Sequence, residues 1–257
     1  MRVLAIGDVC GRSGVDYCCR MLPILQRELA IDFTIVNGEN ASVFGISQKQ
    51  AETLWRAGAD VITLGNHTYS KREIGTLLDE SDRIIRPANL NAMLPGQGMT
   101  FVDTMFGEVC VLNLIGRCGM DFSPDNPFPV ASRMVTEARR RTSYIFVDFH
   151  AEATSEKGAM AWHLDGQVSA VFGTHTHVQT ADERIYPRGT GFLTDLGMTG
   201  PRESVIGVCP EQSLGFFRGD TLVHYTSAEG PCLLNGAGFE VDEDGACTDI
   251  GRVCEWE

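Results

Sequence analysis

No stretch of the chain is apolar for long enough to span a bilayer, no two cysteines stand in a CxxC spacing, and positive charge is scarce. Each shortage closes off a class of function. With 21 Lys and Arg against 34 Asp and Glu the formal net charge is -13, so the chain lacks the clustered cations that hold long nucleic acids by neutralising phosphates. Neither duplex nucleic acid nor a membrane is expected as a partner. An acidic chain can still handle a small phosphorylated substrate when bound cations supply the local positive field. The nine cysteines are odd in number and unpaired in spacing, which points to reduced thiols in a reducing compartment. The N-terminus, MRVLAIGDVCGRSG, puts an acid at position 8, inside what would be the apolar stretch of an export signal. The expectation is a soluble, cytoplasmic protein.

What is present fits one large α/β domain spanning residues 1–257, with enough chain for a real core and too little for two full-sized enzyme domains. Apolar runs alternate with amphipathic segments. Val3 to Ile6, Asp32 to Val36 and Val61 to Leu64 read as strands, and Arg12 to Leu29, Gln48 to Ala57 and Lys71 to Asp79 as helices, a βαβαβα order. Met99 to Met105 and Glu108 to Leu114 form a strand pair turning at Phe106-Gly107. A proline-rich surface loop, Gly119 to Val130, precedes a helix over Ala131 to Arg141, a strand over Tyr144 to Phe149, a helix over Ser155 to Leu164 and a strand over Val168 to Phe172. From Glu183 onward the reading is short strands, at Arg184 to Tyr186, Gly191 to Thr194, Gly219 to Tyr225, Phe239 to Val241 and Gly251 to Trp256, with almost no helix. That predicts a second β-sheet packed on the first.

The polar residues fall on this map in one topological place. Asp8 follows the first strand, Glu39 and Asn40 the second, Asn66 and His67 the third, His150 the Tyr144 strand, and His175 and His177 the Val168 strand. Strand alternation would bring His175 and His177 to one face. In open α/β sheets ligands bind in the crevice at the carboxyl ends of strands. Five independent caps or turn formers are a poorer explanation than one site. Asp8, Glu39, Asn40, Asn66, His150, His175 and His177 offer oxygen and imidazole donors, a mixture that suits Fe, Mn or Zn rather than a thiolate centre. Seven donors exceed one tetrahedral ion and suffice for two sharing a carboxylate. Two dications less the charges of Asp8 and Glu39 leave a positive centre that a phosphate satisfies.

The blocks GDVCG (Gly7 to Gly11), NGENAS (Asn37 to Ser42), GNHTYSKREI (Gly65 to Ile74), HAEATSEK (His150 to Lys157), GTHTHVQTAD (Gly173 to Asp182) and TDLGMTGP (Thr194 to Pro201) closely resemble the YmdB-like family of calcineurin-type metallophosphoesterases. GNH and THTH are shared across the wider superfamily, whereas NGEN, HAEATSEK and GMTGP together are far more restrictive. The resemblance implies a four-layer fold with two central mixed sheets flanked by helices, a dinuclear centre usually described with iron, and phosphodiesterase activity on 2',3'-cyclic or 3',5'-cyclic nucleotides. Carried over, it implies that Asp8, Glu39, Asn40 and His177 hold one metal and that Glu39 bridges to a second held by Asn66, His150 and His175. It further implies attack on phosphorus by a metal-bridging hydroxide, with His67 as proton donor and Asn40 and His67 meeting the substrate. Symmetric homo-oligomers are common among soluble enzymes of this kind. The alternative is a regulatory protein that uses the same metals to sense a phosphorylated ligand with little turnover.

The superfamily's Asp-x-His is replaced here by Asp8-Val9-Cys10, and Cys10 is read as a turn or core thiol rather than a soft ligand. His163 reads as a helix-end residue, His224 as structural, and Arg139 to Arg141 as a solvated helix end. Glu152 and Glu156 either orient His150 or cap the following helix.

Overall fold

A computed structural model describes residues 1–120 and 123–257 of the chain. Two residues of the proline-rich loop, 121–122, lie outside the described residues. Strands β1 (Arg2–Ile6) and β2 (Asp8–Val9) lead into α1 (Gly11–Glu28), followed by β3 (Phe33–Asn37), α2 (Gln48–Ala57), β4 (Val61–Thr63), α3 (Ile74–Glu80) and β5 (Ile84–Ile85). The hairpin β6 (Met99–Thr104) and β7 (Gly107–Ile115) comes next, then α4 (Pro127–Ala138), β8 (Tyr144–His150), α5 (Thr154–Leu164) and β9 (Ala170–Thr174). The last third holds β10 (Arg184–Ile185), β11 (Gly191–Leu193), β12 (Met198–Pro201), α6 (Pro210–Phe217), β13 (Cys232–Val241) and β14 (Cys247–Trp256).

Local chemistry sets several of these boundaries. Ser47 and Gln50 close a capping box at the start of α2, and Gly58 in left-handed conformation ends it. Asn126 accepts from the Phe128 amide, with Pro127 in the first turn of α4. The proline-rich loop therefore gives way to helix at Pro127, earlier than the sequence reading placed it. Of the stripe Cys18, Cys19, Leu22, Leu25 and Leu29 expected to be buried on α1, Cys18, Leu22 and Leu25 are buried, Cys19 is half-buried, and Leu29 falls beyond the helix and is exposed.

The strands form two mixed sheets. In the first, β1, β3, β4 and β5 run parallel, β13 pairs antiparallel with β1, β12 and β14, and β12 pairs parallel with β2. In the second, β7, β8, β9 and β11 run parallel, with β6 and β10 antiparallel at the two edges. Alternation along each strand divides its side chains between two cores. Val3, Ala5, Phe33 and Ile35 of the first sheet pack with Val109, Val111, Phe146 and Phe172 of the second, and this is the core between the sheets. Leu4, Ile6 and Val36 turn the other way, onto α1, α2 and α3, and Ile145, Val147 and Val171 onto α4 and α5. The result is four layers, helices, sheet, sheet and helices.

The C-terminal third departs from its sequence reading. It builds no sheet of its own: β12, β13 and β14 complete the first sheet and β10 and β11 extend the second. Strand β13 runs the full length Cys232–Val241, and the glycines at 236 and 238 hide that length from an alternation test. Gly236 is needed there, since a Cβ would lie 2.4 Å from the Ala5 carbonyl oxygen. Gly219 to Tyr225 is not a strand but turn and irregular chain, which removes the strand assigned to His224. Helix α6 escapes the period test because Leu214, Phe216 and Phe217 are all exposed and no buried stripe marks it.

Candidate metal centre

Because five parallel strands, β1, β3, β4, β8 and β9, end at one rim, the segments that leave them meet there. Inward-facing residues at or near the ends of four strands are polar: Asn37 on β3, Thr63 on β4, Asp148 on β8 and Thr174 on β9, each following apolar neighbours two residues earlier on the same face. They close the top of the inter-sheet core with one network. Asp148, fully buried, accepts from Thr63 Oγ1 (2.5 Å), Thr174 Oγ1 (2.7 Å) and Asn37 Nδ2 (3.0 Å). Burial nonetheless raises its pKa above the usual carboxylate value. Thr174 Oγ1, having given its proton to Asp148, accepts from His150 Nδ1 at 2.9 Å. That ties Nδ1 into the floor and aims Nε2 at the rim.

Above this floor all eight residues singled out in the sequence come together. His150 Nε2 lies 2.8 Å from Asn66 Oδ1, 3.1 Å from His175 Nδ1 and 3.2 Å from Glu39 Oε1. On the other side, Asn40 Nδ2 is 3.0 Å from His177 Nε2, which is 3.8 Å from Asp8 Oδ1. Glu39 stands between the two groups: Oε1 also accepts from Asn40 Nδ2 (3.2 Å) and Oε2 from the His67 amide (3.1 Å). His67 lines the open cleft over the centre, its ring 3.1 Å from Asn66 Nδ2. The neighbouring Gly65 leaves no room for a side chain, since a Cβ would sit 2.3 Å from both Glu39 Oε2 and His150 Nε2.

The donor chemistry fits a divalent cation. Donor atoms of Glu39, His150 and His175 lie within 4.8 Å of one another. Asp8 is wholly buried, and its Oδ1 has no hydrogen-bond partner while its Oδ2 accepts from the His175 amide at 3.1 Å. An orphaned carboxylate oxygen in a dry site is costly unless a cation completes it. Burial raises the Asp8 pKa to about 6, against the pull of His177 and His150. Glu39 moves the other way: burial pushes its carboxyl up, but the adjacent His150 outweighs it and holds the group low. Burial also lowers the imidazole pKa of His67, and that of His175 to about 3, so it favours the uncharged ring at both.

The two histidines of the HxH motif do not reach the centre by strand alternation. Strand β9 ends at Thr174, and His175 and His177 have φ of 99° and 64°, left-handed values unusual for side chains of this size. A buried ion pair holds that turn. Lys157 Nζ donates to Asp195 Oδ2 at 2.6 Å with both side chains fully buried, and the same oxygen accepts from the Thr176 amide, between the histidines, at 3.2 Å. Asp195 Oδ1 takes the Gly197 amide at 2.8 Å.

Sequence reasoning missed Asp148, Thr174, Lys157 and Asp195. The available signal was a charged residue inside an apolar strand, as in YIFVDFH, or in an otherwise apolar strand end, as in GFLTDLG. Cys10 is buried, as expected of a core thiol, yet its Sγ lies 3.5 Å from His177 Nδ1, so it also touches the centre. Burial holds it as the neutral thiol. Of the two acids in HAEATSEK, Glu156 accepts from the Arg117 and Cys118 amides, and exposed Glu152 lies 3.4 Å from His175 Nε2. Neither touches His150. His163 packs on Phe128 and hydrogen-bonds Ser132 at the surface.

A family model described as YmdB-like protein matches residues 4–253. The chain is 46% identical over 246 residues, covering 95% of it and 92% of the relative, to a 2',3'-cyclic-nucleotide 2'-phosphodiesterase of Bacillus subtilis. Among solved structures, a hypothetical protein of Thermus thermophilus superposes with TM-score 0.94 at 37% identity, with both chains fully covered. A phosphatase of Mycoplasma pneumoniae superposes with TM-score 0.92 at 35% identity, covering all of this chain and 93% of the other.

Proposed function

The chain belongs to the YmdB-like protein family, and from that membership and the rim geometry we propose that it hydrolyses small cyclic-nucleotide phosphodiesters at a two-metal centre. It is an enzyme of the metallophosphoesterase kind, with phosphodiesterase activity. The finer reading is supported above all by one observation: Glu39 stands between two sets of donors, with the buried Asp8 Oδ1 left unpartnered.

In this reading Asp8, Asn40 and His177 would hold one ion and Asn66, His150 and His175 the other, with Glu39 serving both. Iron is the favoured metal, with manganese or zinc as alternatives. Two bound dications supply Lewis acidity toward phosphate oxygens and make water a nucleophile at neutral pH. The chain's own residues do the rest. Thr174 and Asp148 hold His150 with Nε2 aimed at the rim. Gly65 lets Glu39 and His150 approach. The Asn40 amide and the His67 ring border the open cleft and meet the substrate. His67 gives its proton to the departing oxygen. As burial favours its neutral form, the anionic phosphodiester drawn against the ring is what raises the protonated fraction.

Purified protein, with and without added Mn, should hydrolyse bis-nitrophenyl phosphate and 2',3'-cyclic AMP in a metal-dependent way. His67→Ala is expected to lower kcat on the cyclic nucleotide by about 10²–10⁴-fold, the range for losing a general acid, with metal content unchanged. Equally slow turnover by wild type and variant, both metal-loaded, would exclude His67 as the acid.

A further inference from the structure

The cleft over the metal centre combines the donors described above with a hydrocarbon lining of Val43, Phe44, Ile206 and Val208. Phe44 is 41% exposed and Ile206 51%, so two large apolar side chains stand at the mouth of a polar site and not in a core. Backbone conformation holds them there. Of the five non-glycine residues with positive φ among the described residues, four line this cleft: Val43 (69°), His175, His177 and Ile206 (48°). For the histidines the turn serves the metal centre. Val43 and Ile206 are β-branched, for which left-handed backbone is a genuine outlier, and neither side chain takes part in the hydrolysis. Strain kept at a ligand cleft by surrounding structure points to recognition.

Each lip is tied to the machinery. Val43 N donates to Asn40 O and Ser42 N to Gly45 O, both at 2.9 Å, a tight turn that presents Phe44. The Phe44 ring meets His67 edge-on at 4.8 Å and Tyr225 at 6.5 Å. On the other lip Ile206 O accepts from His177 Nδ1 at 2.8 Å. The remaining hydroxyl of the lining, on Ser227, is committed to the Ala228 carbonyl at 3.2 Å.

We propose that Phe44 and Ile206 form a platform for the nucleobase of the substrate, so that the enzyme selects nucleoside phosphodiesters over other small phosphodiesters. This rests on the phosphodiesterase reading above. His67 stands beside the leaving oxygen, so the ribose carrying that oxygen places its base against the neighbouring Phe44. An apolar wall reads the flat face of a base and not its hydrogen-bonding edge. Adenine and guanine are therefore accepted alike, and purines are preferred to pyrimidines by stacking area.

The test compares kcat/KM for 2',3'-cyclic AMP with that for the base-free 1,2-cyclic phosphate of glycerol, using metal-loaded wild type, Phe44→Ala and Phe44→Trp. Any effect transmitted through His67 falls on both substrates, so the informative quantity is their ratio. Wild type is expected to prefer the nucleotide. Phe44→Ala should reduce that preference by at least about fivefold, the lower end for one stacked base, through KM, and Phe44→Trp should restore it. Adenosine should compete with the nucleotide in wild type and lose potency by a similar factor in Phe44→Ala, while ribose competes with neither. An unchanged ratio in Phe44→Ala, with both substrates turned over, overturns the platform and leaves the phosphodiesterase reading intact. Failure of wild type to hydrolyse either substrate overturns both.

Discussion

Thr174 joins a fully buried carboxylate to an imidazole at the rim, donating to Asp148 Oδ1 and accepting from His150 Nδ1. A direct carboxylate–histidine contact would do the same job, but Asp148 and His150 sit two residues apart on one strand, and the hydroxyl of the next strand spans the gap. Thr174→Val keeps the shape and removes the relay. It should weaken metal binding by about 10- to 100-fold, the usual loss when the partner of a metal-binding histidine is removed, as read by competition against a chromogenic chelator, and Thr174→Ser should restore it. Wild-type affinity in Thr174→Val would show that His150 needs no such partner. The eight rim residues were legible in the sequence because five apolar runs each end in an acid, an amide or an imidazole, a coincidence that separate caps and turn formers do not explain. Thr174 was not, because a threonine at the end of a strand is what strand propensity alone would supply. Phe44 was equally silent, since an aromatic residue in a loop carries no chemical signature until its neighbours are known.

The turn that carries His175 and His177 depends on α5 and on the chain after β11 as much as on β9. Lys157 projects from α5 and Asp195 follows β11, and their ion pair, with no solvent access, receives the Thr176 amide between the two histidines. Removing one partner leaves a lone charge in a dry site. Lys157→Met should therefore lower unfolding free energy by about 3–5 kcal/mol in urea titrations and reduce metal stoichiometry, whereas Lys157→Met with Asp195→Leu should regain part of the stability without regaining metal. Stability in the single variant close to wild type would mean the pair is not isolated from water. At this scale the βαβαβα beginning was legible, since its strands are unbroken apolar runs buried on both faces and amphipathic segments stand between them. The C-terminal third was not. Its strands are completed by partners far away in sequence, such as β13 against β1 (Val3 opposite Phe239), and neither the glycines of β13 nor the exposed apolar face of α6 leaves a period to read.

Across the whole molecule, two sheets share one apolar core and spend their common carboxyl rim on polar donors. Buried thiols, Cys247 between the sheets and Cys110 between the second sheet and its helices, fix one response to pH. Burial raises Cys110 and Cys247 to about 12 from an ordinary 9.0. Above pH 9 the unfolded chain releases these protons while the folded chain keeps them, so the stabilisation is complete below pH 9 and is lost as pH climbs through 9 toward 12. Each thiol contributes a slope of up to about 1.4 kcal/mol per pH unit, partly offset by solvent access at Cys247. Urea melts at pH 7, 9 and 10.5 should show the decline, and a Cys110→Ala, Cys247→Ala variant should make it shallower, the remainder coming from Cys10, Cys18 and Cys19, whose thiols burial also raises. A slope unaltered in that variant would assign alkaline unfolding to other groups. No helix among the described residues is long and apolar enough to cross a membrane, and family, fold and rim together make the metal centre the feature on which the rest depends. Metal analysis of the purified protein, as isolated and after reconstitution, tests it most directly. About two equivalents of transition metal per chain are expected, lost together in Glu39→Ala if that carboxylate is shared as proposed. A protein that binds none even after reconstitution, or a Glu39→Ala variant that keeps both equivalents, would contradict a two-metal centre at this rim.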